Sequence, residues 1–183
     1  MKPLLSLAIL LAAQAGSFDP DSGYRLSGYR GVVPGPPPGV PRIGAGKVAA
    51  LADVGAAVLI DVVPAEGGVR GPDGRWRLAR EERGIPGAAG FPEAGRGRID
   101  PAIERWFLAG VGALHARRPA APLIVFCLAD CWMSWNAAWR LKRAGYAHVY
   151  WFAEGADGWR DLGRPLAPMT PYEERPRCTA AAC

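Results

Sequence analysis

The chain reads as an α/β domain, with a central parallel sheet flanked by helices and an extended arm in front of it. Three observations predict this. Three short, nearly unbroken apolar runs, AAVLIDVV (56–63), PLIVF (122–126) and HVYWF (148–152), have the length and content of strands buried on both faces. A helical pattern separates the second from the third, and a strand–helix–strand succession implies parallel pairing. Ahead of the first strand, a proline run from Pro34 to Pro41 favours extended backbone over helix.

The elements follow in chain order. MKPLLSLAILLAAQA (1–15) sets a lysine before an apolar run and closes on Ala13-Gln14-Ala15. That is the layout of a secretory signal peptide, and the run is shorter than the roughly 20 apolar residues a bilayer helix needs. Residues 16–45 are the Pro/Gly-rich arm, whose tyrosines and Val32-Val33 are expected to pack down. The domain proper spans 46–168, and 169–183 form a tail. Within the domain, Lys47 to Ala52 predicts a short helix and Ala56 to Val63 the first strand. Asp61 interrupts that strand at its carboxyl end, where α/β sheets place their working residues. Pro64 to Arg83 is a polar, glycine-rich excursion that turns at Pro72-Asp73-Gly74. The arginines from Arg70 to Arg98 read as a solvated surface.

Asp100-Pro101 supplies a helix cap followed by proline at the first helical position. That helix should reach about His115, with Ile103, Phe107, Val111 and Leu114 along one face. Pro122 to Phe126 is the second strand, Ser134 to Ala144 a helix stopped by Gly145, and His148 to Phe152 the third strand. On the Ser134 helix, Ser134, Ala137, Ala138, Leu141 and Gly145 share the face suited to the sheet. Trp135 and Trp139 fall on its flank, where the arm is expected to cover them. Asp157-Gly158-Trp159 reads as a tight turn with a packed indole.

The formal net charge is +5, but the arginines are scattered and no basic stripe alternates with aromatics. Nucleic-acid binding is therefore not expected. Nor is stable membrane insertion once the signal segment is removed, since no second run of that kind follows. The four cysteines would meet an oxidising compartment and allow three complete pairings. Cys127 with Cys131 is favoured, because Cys178 and Cys183 lie in a tail without apolar pattern. His115 and His148 fall in other elements, and two thiolates alone do not make a four-ligand zinc site.

The chemistry concentrates in FCLADCWMS, from Phe126 to Ser134, between a buried strand and a helix start. Unpaired amides point outward at such a junction and favour an anion, and the thiolate is the competent nucleophile. A helix N-terminus favours a nearby negative charge by about 0.3–1 kcal/mol, while a carboxylate about 4 Å away opposes it by about 1 kcal/mol in water. The balance then depends on amides from Ala129 to Ser134 reaching the sulfur, with Asp130 turned outward. Two readings stay open: a structural Cys127–Cys131 staple, or a reactive pair in which Cys127 attacks and Cys131 resolves.

The succession LIDV, IPGA (85–88), a strand ending in cysteine, SWNAAWRLKRAGYAHVYWF and DGW resembles a rhodanese domain over roughly Lys47 to Pro168. That resemblance implies a three-layer rhodanese-like fold, with Cys127 in the persulfide position and Leu128, Ala129, Asp130, Trp132, Met133 and Ser134 around it. Asp61, Trp135 and Trp159 would support the loop. Unlike the usual Cys-x4-Arg loop, this one has no arginine and no glycine, so thiosulfate sulfurtransfer is not expected. CLADCWMSWNAA further resembles the secreted Cys-x3-Cys-Trp proteins associated with pyrroloquinoline-quinone-dependent catabolism. That narrower resemblance implies a periplasmic location and a quinoprotein dehydrogenase or cytochrome c as partner. The link to the quinone is then indirect, through those partners. It also leaves room for a non-catalytic module whose Cys127–Cys131 pair is structural and which docks such a partner through Trp132, Trp135 and Tyr146.

Overall fold

A computed structural model describes residues 17–173. The expected signal segment, Cys178 and Cys183 lie outside the described residues. In chain order the elements are α1 (Ala45–Asp53), β1 (Val58–Asp61), β2 (Val69–Arg70), β3 (Trp76–Arg77), β4 (Arg83–Gly84), β5 (Ala89–Gly90), α2 (Pro101–Arg117), β6 (Leu123–Phe126), α3 (Trp132–Arg143), β7 (Val149–Phe152), α4 (Gly155–Asp161) and β8 (Ala167–Pro168).

One four-stranded sheet runs in the order β5-β1-β6-β7, and every pairing in it is parallel. The register sets Val58 against Leu123 and Phe126 against Phe152, so the two faces alternate in step across the strands. Ile60, Val125 and Trp151 face α2 and α3, meeting Phe107, Ala137 and Leu141. Leu59, Ile124 and Phe152 face α1 and α4, meeting Val48 and Trp159. Helix, sheet, helix makes three layers, and burial on both faces explains the unbroken apolar runs. The first strand ends earlier than its apolar run because Val63 N–H donates to Asp61 Oδ1 at 3.1 Å, which turns the chain out of the ladder.

The arm lies across α3. Trp135 Nε1–H donates to Gly35 O at 3.1 Å, and the Tyr24 and Trp139 rings meet edge-on at 5.5 Å. Gly23 adopts φ +73° against the Trp139 ring, where a Cβ would have no room. Asn136, fully buried in α3, accepts from Arg25 N–H and donates to Arg25 O, each at 2.9 Å. The arm then extends the sheet edge, with Ile43 N–H donating to Trp151 O and Trp151 N–H to Pro41 O, both at 3.0 Å. Val32 departs from expectation: it stays 77% exposed while Val33 packs inward.

Two further readings are corrected. The excursion forms a β2–β3 hairpin around the expected turn, but its surroundings are not simply solvated. Phe91 and Ala94 are fully buried; Arg70 lies 5.1 Å from the Trp106 ring, and Arg96 lies 4.9 Å from the Tyr29 ring while pairing with Glu93 at 2.6 Å. Guanidinium planes cover aromatic faces while keeping a polar edge wet, so arginine content alone does not mark free surface. Asp157-Gly158-Trp159 is helix rather than tight turn, being inside α4. Two glycines hide that helix from propensity. Its indole is packed as expected, donating to Pro165 O at 2.9 Å.

Candidate functional site

Helix α3 begins at Trp132, ahead of the expected Ser134, which makes Cys131 its N-cap residue. The junction from β6 is thus Cys127 to Cys131. Cys127 continues the alternation of β6 onto the α3 face, where it is 1% exposed, and Cys131 is 2% exposed. Both are free thiols, and their sulfurs stand 2.8 Å apart. The return that brings them together passes through Asp130 at φ +49°, a left-handed conformation that aspartate tolerates better than most residues. Asp130 itself is exposed.

Braces on every side fix this loop. Ala129 N–H donates to Asp157 Oδ2 at 2.9 Å, and Ala156 N–H donates to Cys127 O at 2.8 Å. Ser134 Oγ–H donates to Cys131 O at 3.1 Å and accepts Trp151 Nε1–H at 3.0 Å. From the arm, Tyr29 O takes Trp132 N–H and Gly31 N–H reaches Asp130 O, each at 2.8 Å. Two of the amides expected to face the sulfur, those of Ala129 and Trp132, are therefore committed elsewhere. The amides of Leu128 and Met133 do act on Cys131.

The two sulfurs are not equivalent. The hydrogen bond shared with Cys127, together with the Met133 and Leu128 amides and the Arg30 charge, outweighs burial and brings Cys131 down to about 7. Burial pushes Cys127 well above the ordinary thiol range, and the same hydrogen bond, then the charges of Cys131 and Asp61, add to the effect. The surroundings thus favour a thiolate on Cys131 over one on Cys127. The physical reason is depth: Cys127 belongs to the sheet, while Cys131 caps a helix, where amides converge. Asp61 anchors the turn after β1 through Val63. Desolvation nevertheless raises it to about 7, with the Cys131 and Glu82 charges adding to that.

The other predicted residues divide by position. Met133 is 1% exposed, Trp132 7% and Trp135 9%, all within the core on the α3 face. Phe18 meets Trp132 edge-on at 5.3 Å and the Arg25 guanidinium lies 5.1 Å from the same ring. The arm therefore covers this aromatic group. Leu128 is half-buried at the loop, and Trp159 belongs to the opposite core, supporting α4. A cavity of about 260 Å³ flanks the loop at Ala129, Asp130, Trp151 and Glu154. The larger cleft, about 630 Å³, lies between the β2–β3 hairpin and the start of α2 and touches neither cysteine. Sequence reasoning missed Asp157, Tyr29 and Arg30 as parts of the site. For Asp157 a signal existed in DGW; the arm residues gave none, because their register on the loop is set by tertiary contacts.

The arrangement defines an α/β domain with two facing cysteines at a strand-to-helix junction, closed over by an arm. A scan of family models finds no match, and a search of curated proteins finds none. Among solved structures, the chain is similar to a thiosulfate sulfurtransferase from Pseudomonas aeruginosa, with 24% identity and a TM-score of 0.48 over 72% of this chain and 21% of that one. The chain thus spans about a fifth of that protein's length. It is also similar to a rhodanese-like domain from Anabaena sp., with 19% identity and a TM-score of 0.47 over 76% of this chain and 91% of that one. A full-length protein from Lactobacillus plantarum gives 20% identity and a TM-score of 0.47 over 70% of this chain and 88% of that one.

Proposed function

We propose that the chain is a rhodanese-like dithiol protein that exchanges with disulfides, Cys131 attacking and Cys127 resolving. The observation that carries this is the pair of free sulfurs 2.8 Å apart, only one of which its surroundings make acidic. A thiol that titrates near ambient pH combines a useful thiolate fraction with nucleophilicity. In the first step the Cys131 thiolate bonds to one sulfur of a substrate disulfide, whose S–S bond breaks, and one substrate thiolate leaves. Cys127 then gives up its proton and bonds to the Cys131 sulfur, expelling the second substrate thiol. The protein is oxidised by two electrons and the substrate reduced by two. A lone persulfide carrier would have no use for a second sulfur so close.

The resemblance of CLADCWMSWNAA to secreted proteins of pyrroloquinoline-quinone-dependent catabolism supports placing this exchange in the periplasm, accessory to a quinoprotein dehydrogenase or its cytochrome c. The quinone would belong to those partners. The arm packs on Trp132 and Trp135, which leaves the half-buried Tyr146 as the ring most free to serve a docking module.

Incubation with a small neutral disulfide, followed by peptide mapping in a mass spectrometer, tests the exchange. The expected products are a Cys127–Cys131 disulfide in the unaltered protein and a mixed disulfide on Cys131 in Cys127→Ala. Folded protein in which neither cysteine changes state would overturn the proposal. The partner assignment has its own test: Cys131→Ser should impair growth of the source cells on alcohols, and unimpaired growth removes it.

A further inference from the structure

The arm brings a cation to this site. Its segment Tyr29 to Gly31 runs antiparallel to Asp130 to Trp132, and Arg30 and Cys131 are the bridge partners. Opposed residues in such a pair carry their Cβ atoms about 4.5–5.5 Å apart on one side. Arg30 is exposed, and its charge reaches Cys131. Neighbouring arginines are committed elsewhere. Arg25 donates to the carbonyls of Ser27 and Gly28, Arg42 pairs with Glu154, and Arg96 pairs with Glu93. Among the described residues, no carboxylate or carbonyl takes the Arg30 guanidinium. The opposing charge nearest in sequence to the acidic sulfur is Asp130, exposed on the same turn.

We propose that Arg30 is the substrate-binding cation of the dithiol site and selects anionic sulfur electrophiles, carboxylate- or sulfonate-bearing disulfides, for attack by Cys131. This rests on the dithiol reading and adds the substrate class to it. The loop lacks a basic residue of its own, and the arm supplies one from a distant part of the sequence. An exposed cation acts on an approaching anion mainly through encounter, so the preference is expected to weaken with salt.

Two alkylating probes of nearly equal size test it: iodoacetate, an anion, and iodoacetamide, which is neutral. In both, the Cys131 thiolate bonds to the methylene carbon while iodide leaves with the C–I electron pair, so any change in thiolate fraction cancels in the ratio of rates. With Cys131 labelling followed by mass spectrometry, Arg30→Ala should lower the iodoacetate-to-iodoacetamide ratio about three- to fivefold. Arg30→Lys should restore it, and added salt should lower it in the unaltered protein. A ratio indifferent to Arg30→Ala overturns the role of Arg30 and leaves the dithiol reading standing. If Cys131 takes up neither probe in any of the three proteins, the dithiol reading falls, and the role of Arg30 with it.

Discussion

Two strand-to-helix junctions stand side by side at the carboxyl edge of the sheet. After β7 the chain needs only Ala153 and Glu154 before α4 begins; after β6 it takes Cys127 to Cys131 before α3. At the shorter junction the Ala156 amide is spent on Cys127 O, and the carboxylate of Asp157 takes Ala129 N–H. At the longer one the amides of Leu128 and Met133 remain for a sulfur. The same local geometry thus serves as a brace in one place and as an anion site in the other. What separates them is where the neighbouring polar groups send their bonds. A short junction with no slack becomes scaffolding, and its rigidity lets the longer one hold a strained residue such as Asp130 at φ +49°.

Breaking the brace should have the largest effect. Gly155 sits at φ +55° against the Cys127 carbonyl, with no space for a Cβ. Gly155→Val combines a left-handed β-branched residue with overpacking, and should cost on the order of 3 kcal/mol in denaturant unfolding. A smaller change sharpens the comparison. Asp157→Ala leaves the partly buried Ala129 amide without its acceptor and should cost about 1–2 kcal/mol. Its exposed pairing with Arg160 contributes little to that figure. Because Ala129 precedes the turn that aims Cys131, the same variant should also move the Cys131 titration upward, read by thiolate absorbance. An unmoved titration would show that α4 stabilises the loop without setting its geometry.

Three of the sheet's four strands were legible because burial on both faces leaves a period-independent signal, whereas the two-residue edge strand β5 (Ala89–Gly90) carries no apolar run to announce it. The α2 cap was legible too, since Asp100-Pro101 carries its physics locally, and Asp100 does accept from Ala102 and Ile103. The identity of the cysteine loop came from its place after a buried strand. What could not be read was the ranking of the two sulfurs. That ranking follows from a helix start at Trp132 rather than Ser134, and from which amides Tyr29 and Asp157 remove from play. Both are long-range choices. The glycines of α4 concealed a helix for the opposite reason, since their local preference is overridden by packing of Trp159 and by the Cys127 carbonyl.

The proposed exchange requires Cys131 to be the acidic sulfur and Cys127 its buried partner. Thiolate absorbance followed against pH in the unaltered protein, Cys131→Ala and Cys127→Ala tests this most directly. The unaltered protein should form one thiolate near neutrality, matching a Cys131 titration at about 7. With Cys178 and Cys183 changed to Ser in all three proteins, that thiolate should vanish in Cys131→Ala, where Cys127 stays protonated well into the alkaline range. It should persist in Cys127→Ala but move upward, because the shared hydrogen bond is gone. A neutral titration that survives in Cys131→Ala and disappears in Cys127→Ala would contradict the account.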